Sequence, residues 1–124
     1  MKPLLIGLAM GESPRWHDDR RWLSDCGAQE IIAANLTGES EVIVRTTFGL
    51  PFCIDWLPDG RLLIVSGREG DIGRDGSLSN RRVWADLGGG VPDGICIDAH
   101  NGVWYADVPN KRCVRVREGG ACER

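Results

Sequence analysis

The chain has 124 residues, enough for one compact domain and too few for two. With 42% apolar and 27% charged residues it belongs among folded globular chains, not disordered ones. A net charge of −3, with Lys and Arg scattered, excludes the basic patch of a nucleic-acid binder, and no apolar run is long enough to cross a bilayer.

The N-terminal stretch Met1-Lys2-Pro3-Leu4-Leu5-Ile6-Gly7-Leu8 reads as a strand over 3–8. As a secretion signal it is short, broken by Gly7, and lacks a small-x-small site before Gly11-Glu12. Five cysteines, an odd number with no C-x-x-C spacing, argue against a disulfide framework or a zinc knuckle. Free thiols in a reducing cytoplasm are expected, with Cys53 and Cys96 in the core.

Three stretches then repeat. Trp16–Asp25, Leu57–Ser66 and Asp98–Asp107 align so that Trp22, Leu63 and Trp104 are each 41 residues apart. The turn positions Asp19, Gly60 and Asn101 keep the same spacing, as do the upstream segments starting at Pro51 and Pro92. Each repeat reads as a short apolar strand, a turn rich in Asp, Asn and Gly, and a second strand rich in Val, Ile, Leu and Trp. Third strands are expected over 29–35 and 112–117, and fourth strands over 41–45 and 82–87. The third strand of the second repeat is expected to be short or lost, and the third repeat has no clear fourth strand. The five tryptophans are expected to pack between repeats. Seventeen glycines and six prolines leave no room for long helices. Four-stranded units of this length are β-propeller blades, here spanning about 12–46, 50–88 and 91–118. A β-sandwich, the rival all-β arrangement, needs no such repeat.

The residues Gly11-Glu12-Ser13-Pro14-Arg15-Trp16-His17, with Trp22-Leu23-Ser24-Asp25, resemble the opening blade of the gluconolactonase and senescence-marker-protein (regucalcin) family. Leu50–Arg61 resembles its next blade, and Val91–Asp98 with Val103–Asp107 a late one. The resemblance implies a six-bladed propeller with a divalent metal in its central channel and hydrolysis of sugar lactones or related small esters. It makes Glu12 a metal ligand, and Asp93 both a metal ligand and the general base. Calcium is the expected metal, with zinc, magnesium or manganese as alternatives. The family's channel asparagines, one a metal ligand and one a substrate contact, have no counterpart here, and family chains are over twice as long. Arg68 is a weak candidate for a substrate contact at the channel mouth.

Three blades cannot close a ring. A homodimer would make six and bury the two open faces, with residues 3–8 of each copy completing the partner's last blade. The expectation is therefore an all-β, three-bladed half-propeller closed by homodimerisation, cytoplasmic, taking a small lactone, with no nucleic-acid or membrane partner. The alternatives are a non-catalytic propeller that binds a metal or small ligand, and a shortened gene product that dimerises without specific activity. Asp71–Gly76 only partly matches a calcium loop, since Gly73 and Arg82 fall where carboxylates are needed, and a turn at Asp75-Gly76 is the better reading. His17 and His100 are expected in or beside surface turns.

Overall fold

The computed structural model describes residues 1–46, 51–66, 71–75, 82–120 and 122–123. All its regular elements are strands: β1 (Gly11–His17), β2 (Arg20–Asp25), β3 (Glu30–Ala34), β4 (Ser40–Arg45), β5 (Pro51–Trp56), β6 (Leu62–Ser66), β7 (Asp71–Asp75), β8 (Arg82–Asp86), β9 (Pro92–Ile97), β10 (Val103–Asp107), β11 (Arg112–Val116) and β12 (Cys122–Glu123). They form three antiparallel four-stranded sheets, each a meander in chain order: β1–β4, β5–β8 and β9–β12.

Three expectations need correcting. The second repeat keeps its third strand, since Asp71–Asp75 pairs with β6 from Leu62↔Asp75 to Ser66↔Asp71. The third repeat has its own short fourth strand, with Val116↔Cys122 and Arg115↔Glu123. Residues 3–8, expected as a strand, form none; they run as an irregular segment beside the first sheet.

The spacing of 41 has a backbone cause. Asp19, Gly60 and Asn101 all have left-handed backbones, with φ of 55°, 84° and 61°. The turn between first and second strands requires that conformation, and Asp, Gly and Asn tolerate it best. Asp18, at φ 47°, completes a two-residue hairpin closed by the His17↔Arg20 pair.

The second sheet is the filling. Leu62 and Ile64 of β6, with Ile54 of β5, face the first sheet, where Trp22, Ile31, Ala33 and Val44 complete one core. Leu63 and Val65 face the third sheet and join Cys53, Trp84, Ile95, Val103, Tyr105, Val114 and Val116 in another. Strand alternation applied to an unbroken Leu-Leu-Ile-Val run thus buries both faces of one strand. Trp22 and Trp84 pack between sheets as expected. Trp16 and Trp104 do not, being 49% and 41% exposed on the outer faces of the first and third sheets.

Asp25 and Asp107, both buried at the ends of second strands, tie the first and third repeats to the segments that lead into them. The Asp25 carboxylate accepts from the N–H groups of Ala9 and Met10, both at 2.9 Å. Asp107 accepts from Val91 N–H at 3.3 Å, the position matching Ala9. Pro92, matching Met10, has no N–H to give, and Asp107 instead holds the Asn110 amide at 2.9 Å and Arg112 Nε at 2.8 Å.

Burial alone would push the Asp25 carboxyl up, but the backbone N–H groups of Met10, Ala9, Ala28 and Gly27 outweigh it and hold it below its ordinary value. Burial also works upward at Asp107 and is outweighed by Asn110 and Arg112. Asp98 is lowered chiefly by Arg115, whose Nε lies 2.7 Å away, and then by the N–H of Gly102. Groups with depressed folded pKa values add stability that is complete above the unfolded value and lost as pH falls through the folded one. The urea midpoint should therefore hold from neutrality to about pH 5 and drop below about pH 4. An Asp98→Asn variant should show a shallower drop; a midpoint unchanged at pH 3 would deny these carboxylates any part in stability.

Candidate functional site

The three first strands lie side by side, with β5 packed against both β1 and β9. Ser13, held at φ 50°, clamps the β1–β5 contact by accepting from Ile54 N–H at 3.2 Å and donating to the Ile54 carbonyl at 3.4 Å. Arg15 reaches further, donating from Nη2 to the Ile95 carbonyl at 3.0 Å, so a β1 guanidinium ends on β9. The Cys53 thiol of β5 donates to the Asp93 carbonyl. Residues of all three repeats thus meet along the first strands.

Glu12 and Asp93 lie inside β1 and β9, and both are exposed. They are not strict counterparts, because the position that the 41-residue period assigns to Glu12 in the third repeat is Gly94. The ladders slip near both residues: β1 shifts register between Glu12 and Arg15, and β9 shifts opposite the stretch between Tyr105 and Asp107. A bulge re-aims side chains that strict alternation would send to opposite faces. Arg68 lies outside the described residues.

Cys53 is no nucleophile. Burial first, and then the charge of Asp93, push its thiol up to about 11, so it stays protonated near neutral pH. Cys26 is likewise buried and raised by desolvation. Cys96, expected in the core, is exposed, as is Cys113.

Glu12 and Asp93 are hard oxygen donors of the kind calcium takes, yet calcium asks for six to eight ligands. Among the described residues, no group of three His, Cys, Asp or Glu side chains comes together that could hold a metal. The described part of one chain therefore does not make the metal site the resemblance implies.

His17 lies beside the turn, as expected, but it is half-buried and not a plain surface residue. It ends β1 and stacks on Trp56 of β5 at 4.0 Å between ring centroids and 12° between planes, with Trp22 edge-on to both rings. Trp22 Nε1 also donates to the His17 carbonyl at 2.9 Å. Arg15 was not singled out; a charged residue at alternate spacing on a strand carries no signal of which strand it will reach.

The sheets and their order are those of a β-propeller. A gluconolactonase from Xanthomonas campestris superposes with a TM-score of 0.76 at 14% identity, over 93% of this chain and 46% of that one. Virginiamycin B lyase from Staphylococcus aureus gives 0.70 at 18%, over 94% and 41%. A chain of a nidogen/laminin complex gives 0.66 at 22%, over 84% and 43%. The chain spans less than half the length of each, and at such identities the likeness is one of fold, a fold shared here by a gluconolactonase, a lyase and a chain of a protein complex. No curated protein sequence matches. Residues 54–124 match the model of the SMP-30/gluconolactonase/LRE-like region, and the chain belongs to that family.

Proposed function

We propose that the chain is a lactone hydrolase built on half of a six-bladed ring, with a second copy supplying the other half. The observation that carries the reading is the family match together with Asp93 and Glu12, exposed on first strands that flank β5. In this reading Asp93 takes the proton of the water that attacks the lactone carbonyl, while Arg15, whose guanidinium spans β1 to β9, faces the carboxylate product. Two copies around one axis would offer two Glu12 and two Asp93 side chains, and the calcium site is proposed as a property of that pair.

Closure has structural support on both open faces. On the third sheet the outer face exposes Cys96, Trp104, Val108 and Cys113. On the first sheet Leu4 stands where a preceding sheet would end. Its carbonyl would sit 2.8 Å from a Cβ placed on Gly38, as the Asp86 carbonyl of β8 would sit 3.0 Å from one on Gly120, the matching glycine two repeats on. Both glycines have φ near 90°, and each gives way to a strand-end backbone passing close by. The N-terminal segment thus already holds the seat of a neighbouring outer strand, which fits its proposed part in completing the partner's third sheet beyond β12.

The test is solution mass with bound-metal analysis and initial rates on an aldonolactone. A dimer carrying a divalent metal, with hydrolysis abolished by chelation, is expected. A monomer at micromolar concentration would remove the ring, and metal binding without turnover would favour a ligand-binding propeller.

A further inference from the structure

An apolar dish opens beside Asp93. Val91 and Pro92, where the chain enters β9, form one wall, and Val108 and Pro109, in the turn between β10 and β11, form the other. Its volume is about 290 Å³, just under the range of roughly 300–1,000 Å³ usual for a whole small-molecule site, so it suits one part of a small ligand. Val91, Asp93, Val108 and Pro109 are all exposed and within reach of a ligand.

One buried carboxylate fixes both walls. Asp107 accepts from Val91 N–H at 3.3 Å on one side and from the Asn110 amide at 2.9 Å on the other. The turn that carries Val108 and Pro109 is closed by Lys111 N–H donating to the Val108 carbonyl at 3.1 Å. Each wall also holds a proline, whose φ is fixed. The dish is therefore preformed, and a ligand entering it need not order the walls first. The first repeat has no such space. The period of 41 residues puts Ala9 at the position of Val91 and Gly27 at that of Pro109. There the two lie so close that a Cβ placed on Gly27 would sit 2.8 Å from that of Ala9. The dish thus belongs to the repeat that carries Asp93.

We propose that the dish seats an alkyl arm on the lactone ring, so that short alkyl-substituted lactones are preferred over polyhydroxylated ones. The inference rests on the lactone-hydrolase reading, in which Asp93 is the base, and names the substrate class of that site. The dish offers an arm four apolar side chains, and Asp93 is the one polar side chain at its edge. Methylenes gain by leaving water there. Sugar hydroxyls would leave water with almost nothing to bond in its place. A neutral arm meets no repulsion from the Asp93 carboxylate, and an arm seated in the dish leaves the ring beside that residue. Val108 also edges the outer face proposed for a second copy, which makes a second copy the rival occupant.

The test uses the full chain with three probes: γ-butyrolactone, which has no arm, γ-octalactone, which has a butyl arm, and glucono-δ-lactone. Binding is read from the Val91 and Val108 amide signals of nitrogen-15-labelled protein, and turnover from initial rates. γ-Octalactone should bind at least about tenfold more tightly than γ-butyrolactone, since each buried methylene is worth about twofold to fourfold. Glucono-δ-lactone should be the poorer substrate and leave both signals in place. In a variant combining Val91→Asn with Val108→Asn, γ-octalactone should fall to the level of γ-butyrolactone, whose own rate should not change. Both positions are exposed, and an unchanged melting temperature checks the fold. Tighter binding of γ-octalactone without turnover would uphold the dish as an alkyl site and remove the hydrolase reading. Turnover with no gain from the butyl arm would keep the hydrolase and overturn the dish. Signals that answer to protein concentration and ignore all three lactones would give the place to a second copy and overturn it too.

Discussion

Replacing Ile54 with alanine should cost about 2–5 kcal/mol, the range for emptying a fully buried aliphatic site. Ile54 has no exposed surface and sits where the first and second sheets meet. Its backbone N–H and carbonyl are also the two groups Ser13 clamps, so the cavity would open beside the bonds that fix β1 to β5. Against a total stability of about 5–15 kcal/mol, the loss should move the urea midpoint by a large fraction of its wild-type value. The control is Val42→Ala at a position 39% exposed, which should stay within about 0.5 kcal/mol. An Ile54 variant that unfolds with the control would show that the sheets do not pack as a unit.

If Asp93 is the base of the proposed lactone hydrolysis, Asp93→Asn should lower that rate by about 100-fold or more while leaving the fold intact, since a positioned general base contributes about 10²–10⁴. The side chain is exposed, so the amide should cost the fold little, and unchanged thermal melting is the check that the loss is chemical. Glu12→Gln should reduce bound metal with it if the two carboxylates share an ion. A variant at Asp93 that keeps more than half the wild-type rate would move the base elsewhere in the chain.

The first and second strands of each repeat were legible because their turn demands a left-handed residue at a fixed interval and their second strands each carry a run of large apolar residues. β7 was not, because Asp71–Asp75 holds only Ile72 as an apolar residue between charges and a glycine, and its strand character comes from pairing between β6 and β8. β12 escaped because two residues after paired glycines carry no period at all. At the candidate site, motif residues led to Glu12 and Asp93, while Arg15 and the His17–Trp56 stack depend on how one sheet lies against the next. Such contacts join residues far apart in the chain, and periodicity within a strand cannot encode them. The exposure of Trp16 and Trp104 has the same origin, because an outermost sheet has a neighbour on one side only.

The carboxylates of Asp25 and Asp107 close the first and third repeats upon their own beginnings, using atoms that all lie within about one unit of chain. A unit fastened in this way carries its latch along when copied, moved or removed. The number of units is then free to vary without reworking the inside of any of them. Grafting a further 41-residue unit onto such a chain is an exercise in matching outer faces, and the same modularity lets a ring be assembled from several short polypeptides as readily as from one long one.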